Sequence, residues 1–208
     1  MKELDIRTRS YLYGLFLSDG YFLCQKDKIT GMGIELATRD KDLIIKLGKL
    51  FPEGTVSFRN RDTNYKKNYE SYVFSCYRKD FADFFIQMGI PIKNKSEEAH
   101  SPVTTYLEVP FWRGVIDGNG SLGNRATGKA FLSLVTKSEE LKNEFCNFLH
   151  QITKKVYSPN RNQRDNIYNI GCSGKSAQLV IKVLYDDIQE GDIYLNRKYE
   201  KMKEALSI

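Results

Sequence analysis

The residues best placed to do chemistry in this sequence are two polar side chains at the ends of two matching segments. Asp19 closes the run Leu12-Tyr13-Gly14-Leu15-Phe16-Leu17-Ser18-Asp19-Gly20, and Asn119 closes Trp112-Arg113-Gly114-Val115-Ile116-Asp117-Gly118-Asn119-Gly120. Each run is largely apolar, with a glycine five places before the polar residue and another just after it. A carboxylate or amide at the end of a buried helix is costly to keep dry without a partner. Two of them at equivalent places point to one shared polar site on a pseudo-twofold axis.

The match extends well beyond these segments. Thr38-Arg39-Asp40-Lys41-Asp42-Leu43 recurs as Thr136-Lys137-Ser138-Glu139-Glu140-Leu141. Each copy reads as a capping Asp40 or Ser138 followed by an amphipathic helix. Tyr72-Val73-Phe74-Ser75-Cys76 recurs as Tyr168-Asn169-Ile170-Gly171-Cys172, with tyrosine, apolar residue and cysteine on one face of a strand. Asn94-Lys95 recurs as Asn196-Arg197. A repeat of this length sets the fold class. It is α/β (α+β), with two pseudo-symmetric αββαββα repeats at 1–98 and 110–208 and a linker at 99–109. Gly14 and Gly114 lack a Cβ, so the first helices of the two halves can approach backbone to backbone.

The 208 residues include 32 Lys and Arg against 26 Asp and Glu, a net charge of +6. That balance favours an anionic partner, nucleic acid first. Cys24, Cys76, Cys146 and Cys172 form no close pair and His100 and His150 lie far apart, so a zinc pattern is absent and reduced thiols are expected. The sequence has no P-loop, no G-x-S-x-G nucleophile turn, no signal peptide and no membrane span. A cytoplasmic setting is the simplest expectation.

Strand alternation indicates where a partner would lie. In Val56-Ser57-Phe58-Arg59-Asn60-Arg61, Val56 and Phe58 are expected in the core, with Ser57, Arg59 and Arg61 on the other face. Glu35 and, past its strand, Arg39 sit outside in the same way. The second half offers Tyr157, Arg161 and Asn169, with Arg125 and Arg164 in loops. An outer face of Arg, Ser, Asn and Glu suits base edges and phosphates in a major groove.

At these residues the chain resembles the LAGLIDADG homing endonucleases of the single-chain, two-repeat type. Residues 12–20 and 112–120 stand where the name-giving motif stands. Phe111-Trp112-Arg113-Gly114-Val115-Ile116-Asp117-Gly118 is close to its usual second copy, and Tyr194-Leu195-Asn196-Arg197-Lys198-Tyr199-Glu200-Lys201 resembles a common C-terminal stretch. The resemblance implies a saddle, with the motif helices packed at the axis and two four-stranded antiparallel sheets facing DNA. It implies a monomer that cuts a long double-stranded target, serves intron homing, and uses a divalent metal, normally Mg²⁺. The setting then extends to an organelle matrix or a phage-infected cell. Asp19 is implied as the first acid, with backbone carbonyls of Ser18 and Gly118 as further metal ligands. Lys95 is the implied catalytic lysine, with Lys93 as the alternate. Arg197 is its implied partner in the second half, with Lys198 as the alternate.

The second acid position holds Asn119. Asp117, two places earlier, points some 200° away on a helix and cannot substitute. An amide can coordinate through oxygen but brings no charge. The expected consequences are nicking, feeble cleavage, or binding alone; an amide introduced to keep bound DNA intact would read the same way. The rival reading is a non-cleaving relative, either an RNA maturase that binds intron RNA or a DNA-binding regulator.

Overall fold

A computed structural model of the chain describes residues 4–63 and 67–207. Helix α1 (Ile6–Asp19) starts at Asp5, whose carboxylate accepts the Thr8 N–H at 2.9 Å. Its counterpart is α4 (Glu108–Asn119). The two cross backbone to backbone. A Cβ on Gly14 would strike the Phe111 carbonyl and the Val115 nitrogen; one on Gly114 would strike the Tyr11 carbonyl and the Leu15 nitrogen. Leu12, Leu15, Phe16, Phe111, Trp112, Val115 and Ile116 are all buried. A helix apolar nearly all round belongs in the core.

Each motif helix runs straight into the first strand of a sheet. The first sheet comprises β1 (Gly20–Gln25), β2 (Lys28–Ala37), β3 (Thr55–Arg61) and β4 (Tyr69–Cys76), in the order β1-β2-β4-β3. The second comprises β5 (Gly120–Asn124), β6 (Ala130–Thr136), β7 (Arg161–Asn162) and β8 (Ile167–Ser173), in the order β5-β6-β8-β7. All pairings are antiparallel, and the registers match: Gly20 faces Ile34, and Gly120 faces Leu134. One face of the first sheet, with Ile34, Phe74 and Cys76, packs under α2 (Lys41–Leu50) and α3 (Lys79–Met88). Leu132, Ile170 and Cys172 do the same under α5 (Glu139–Thr153) and α6 (Lys175–Tyr185). Aromatic rings fill both cores. Phe16 stacks on Phe85 at 4.8 Å, and Trp112 meets Phe145 at 4.9 Å.

The αββαββα reading of each half is observed, with four local differences. A further helix, α7 (Asn196–Leu206), closes the second half, making seven α-helices among the described residues. Val56 and Phe58 lie on the helix-side face as expected, yet both are half-exposed, because β3 is an edge strand that overhangs α2. No strand forms at 154–160; Tyr157 instead turns back on α5, its hydroxyl 3.1 Å from Thr153 Oγ1. Finally, Ser138 caps α5 through the Leu141 N–H, whereas the Asp40 carboxylate makes no capping bond to α2. It accepts two hydrogen bonds from Arg197 instead, at 2.8 and 2.9 Å.

The connection between the halves runs from Gly89 to Leu107 and is tied down along its length. Ser138 Oγ donates to the Ala99 carbonyl at 2.5 Å, Ser101 donates twice to Glu144, and the Leu107 N–H donates to Ser10 Oγ at 2.9 Å.

Candidate functional site

The two motif helices end side by side, and a buried lysine braces each end. Lys95 Nζ donates to the carbonyls of Phe16 (3.1 Å), Ser18 (3.5 Å) and Gly20. Lys198 Nζ donates to the carbonyls of Ile116 and Asp117, the latter at 2.7 Å. Carbonyls at a helix C-terminus lack intrahelical partners and carry partial negative charge, so a lysine satisfies both needs. Burial pushes each lysine down to about 8, with Asp19 opposing the shift at Lys95 and Asp117 opposing it most at Lys198. Asp19 lies between them. Burial raises its carboxyl above the ordinary range, while Lys198 and then Lys95 pull it back.

Of the two cations offered for the second half, Arg197 and its alternate Lys198, it is Lys198 that bonds the motif-helix carbonyls. Arg197 bonds Asp40 of the first half beside the cleft, and Lys198 occupies the place equivalent to Lys95. On a helix one residue is a turn of about 100°, so Lys198 reaches the motif-helix carbonyls while Arg197 lines the cleft next to them. Lys93 is exposed and has no hydrogen bond at the site. Ser18 and Gly118 do meet at the junction, where a Cβ on Gly118 would strike Ser18. The Ser18 carbonyl, expected as a metal ligand, is engaged by Lys95.

Two shallow clefts flank the junction and are pseudo-symmetric. One is lined by Ser18, Lys95, Asn119 and Lys137; the other by Gly118, Lys198, Arg39 and Arg197, with Lys201 beside them. Each half thus lends a cation to the other half's motif end, Arg39 in one direction and Lys137 in the other. Lys137 was missed by the sequence reading, although its alignment with Arg39 in the Thr-cation-cap repeat pointed to it.

Asp117 is no substitute acid. Its carboxylate is fully buried and accepts from Tyr11 Oη (2.8 Å), Tyr185 Oη (2.6 Å) and the Leu195 N–H (2.8 Å). Burial raises it, with Lys198 and these donors opposing. It pins the segment that leads into α7, and so helps to deliver Lys198.

The open sheet faces hold most of the expected partner residues. Ser57, Arg59, Arg61 and Glu35 share the open face of the first sheet, as their pairings opposite Val73, Ser71, Tyr69 and Val73 require. On the second sheet Asn169 and Arg125 border one groove with Ser133 and Ser173. Arg164 is exposed in the β7–β8 turn beside Asp165. Two residues lie elsewhere. Arg161 pairs with Tyr168, so it lies on the helix side; its guanidinium bonds the Asn166 and Lys137 carbonyls and sits over the Tyr168 ring. Tyr157 faces α5, against Thr153.

Among the described residues no three carboxylate, histidine or cysteine side chains converge as a metal cage. The oxygens at the junction are the Asp19 carboxylate, the Asn119 amide and backbone carbonyls. Such a set fits a hard divalent ion when phosphate oxygens complete its shell.

No protein-family model matches the sequence. Solved structures do. The homing endonuclease I-WcaI bound to its DNA recognition sequence is similar at 15% identity, over 97% of this chain and 88% of that one, with a TM-score of 0.68. I-DmoI in complex with DNA and Mn is similar at 16% identity, over 86% and 98%, with a TM-score of 0.55. The N-terminal LAGLIDADG domain of DUF199/WhiA is similar at 14% identity, over 92% and 86%, with a TM-score of 0.52. At such identities the likeness is one of fold. The chain has the two-repeat fold of the LAGLIDADG homing endonucleases. No helix among the described residues is long and apolar enough to cross a membrane.

Proposed function

We propose that this chain is a site-specific DNA endonuclease of the LAGLIDADG type that cuts the two strands of its target unequally. The observation that carries the proposal is the junction itself: Asp19 between Lys95 and Lys198, each lysine braced on one motif helix. Arg39, Arg197 and Lys137 surround it. Double-stranded DNA lying along both open sheet faces would set its phosphates against these cations. The fold's likeness to endonucleases solved with DNA, one of them with Mn, supports duplex DNA as partner and a divalent ion as cofactor. Both repeats on one chain support a monomer.

Asp19, Asn119 and the Gly118 carbonyl would hold Mg²⁺ together with phosphate oxygens. When bound, the ion supplies an activated water and stabilises the leaving oxygen. Lys95 and Lys198 keep the motif ends rigid and present positive charge to a phosphate whose oxygens gain charge in the transition state. With values near 8, both are mostly protonated at neutral pH. Arg39 and Lys137 hold the backbone on either side. Asn119 brings no charge, so the strand it serves has the weaker site.

Binding without cleavage is the second reading. Asn119 favours it, and the WhiA domain has the fold without being named an endonuclease. Duplexes selected by this chain from a randomised library separate the two. Scission that needs Mg²⁺ and vanishes in Asp19→Asn, with binding kept, supports the nuclease. Binding with no scission in Mg²⁺ or Mn²⁺ leaves the second reading, and no selected duplex at all would sink both.

A further inference from the structure

The open face of the first sheet carries a charged cluster that the second sheet lacks. Glu35 on β2 has a side chain only 15% exposed and accepts three hydrogen bonds. They come from Arg61 Nη2 at 2.9 Å, Arg59 Nη1 at 3.2 Å and Ser71 Oγ at 2.7 Å. Both arginine side chains stay open to solvent, at 42% for Arg59 and 54% for Arg61.

Stability is a poor reason for this arrangement, because half-exposed ion pairs contribute little. Affinity for DNA is a worse one, since a carboxylate on a phosphate-facing surface repels the backbone. What Glu35 does achieve is direction. It fixes two flexible arginines in one orientation before any partner arrives, which lowers the ordering cost of a planar two-pronged contact. It also occupies both cations, so that they are less free to grip an arbitrary phosphate.

The shared register identifies what stands in the same places on the second sheet. Gly20 faces Ile34 and Gly120 faces Leu134, so Val135 is the counterpart of Glu35. Tyr72 and Tyr168 are equivalent, so Ile167 replaces Ser71 and Asn162 replaces Arg59. Val135 is 37% exposed, and Asn169 lies directly across from it on the same face. A carboxylate–arginine cluster on one arm is therefore a pair of aliphatic side chains and two amides on the other.

We propose that Glu35 is a positioning residue that sets Arg59 and Arg61 to read guanine in one half-site, and that Val135, Ile167 and Asn169 read an A·T pair at the mirrored position of the other. The inference rests on the DNA-endonuclease reading. An arginine fork matches guanine O6 and N7, an asparagine amide matches adenine N6 and N7, and an aliphatic side chain meets the thymine methyl. Glu35 lies four residues before Arg39, which lines the junction cleft, so both positions fall in the inner part of the half-sites.

The test is selection from a randomised duplex library by the full chain, by Glu35→Gln and by Glu35→Ala, with affinity for an unrelated duplex measured alongside. The unchanged chain should enrich guanine at one inner position by about 5-fold to 150-fold over other bases, with A·T at its mirror. In both variants that guanine preference should fall while the A·T arm keeps its own, and affinity for the unrelated duplex should rise. A purely structural role for Glu35 would instead weaken both arms and leave unrelated DNA bound no better. Three results would overturn the proposal: intact guanine preference in both variants, loss of a cytosine preference (which would make Glu35 itself the reader), or the same base at both mirrored positions. If no duplex is selected by the unchanged chain, the DNA reading itself fails first.

Discussion

Burial sets Lys95 and Lys198 apart from the other cations of this surface. Each exchanges water for backbone carbonyls and is pushed down to about 8. Lysine is charged below that value and neutral above it. If charge is their contribution, cleavage should fall as pH rises through about 8 and beyond. A pH–rate profile on a selected duplex checks this; a rate that climbs over the same range would make the neutral amine the working form. Lys198→Met should lower cleavage by about 100-fold, the scale of removing one transition-state donor, and Arg197→Met should cost far less in the chemical step. Equal losses in the two variants would undo the assignment. At this scale the repeat singled out Asp19 and the resemblance singled out Lys95, and the structure brings the two together. The choice between Arg197 and Lys198 was not legible, because the match of Asn94-Lys95 to Asn196-Arg197 followed side-chain likeness. Lys95 sits in a turn and Lys198 in a helix, so only the phase of α7 shows which neighbour reaches the motif-helix carbonyls.

The elements that hold these residues are the crossed motif helices and the segment leading into α7. Gly14→Ala would drive a methyl into the backbone of α4, where no rotamer can relieve it. The expected cost is about 3 kcal/mol, the upper end of overpacking in a core, read as a lower denaturant midpoint with unchanged slope. A loss under about 1 kcal/mol would mean that the helices separate without penalty. The α7 segment is pinned from both motif helices: Arg113 of α4 and Arg7 of α1 bond Asp187, Arg7 also bonds Asp192, and Asp117 takes the Leu195 N–H. Asp117→Ala would leave two tyrosine hydroxyls and one amide without their buried acceptor. That should cost about 3 kcal/mol or more, with loss of hydrogen-exchange protection in 195–206 ahead of the rest. Uniform loss across the chain would show that Asp117 does not act through α7. Helix and strand order was legible because periodicity and capping signals are local. The face of Arg161 was not: β7 is two residues long, and a one-residue change of register moves a side chain to the other face. Nor was the role of Asp40, whose partner Arg197 lies 157 positions away in the other half.

For the whole molecule, near-symmetry of fold coexists with asymmetry of site. Both halves share strand order, register and a braced motif end, yet one offers a carboxylate at Asp19 and the other an amide at Asn119. The first sheet holds a carboxylate with an organised arginine pair where the second holds aliphatic side chains and amides. A symmetric scaffold with unequal halves suits a target whose arms differ and whose strands are cut at different rates. The most direct measurement is strand-specific end-labelling of one selected duplex in Mg²⁺, comparing the chain as it stands with Asn119→Asp and Asp19→Asn. The expected result is slow or single-strand cutting by the chain itself, efficient double-strand cutting by Asn119→Asp, and no cutting by Asp19→Asn with binding retained. Equal and fast cutting of both strands by the unaltered chain would contradict it, because Asn119 would then not occupy the place of a second acid.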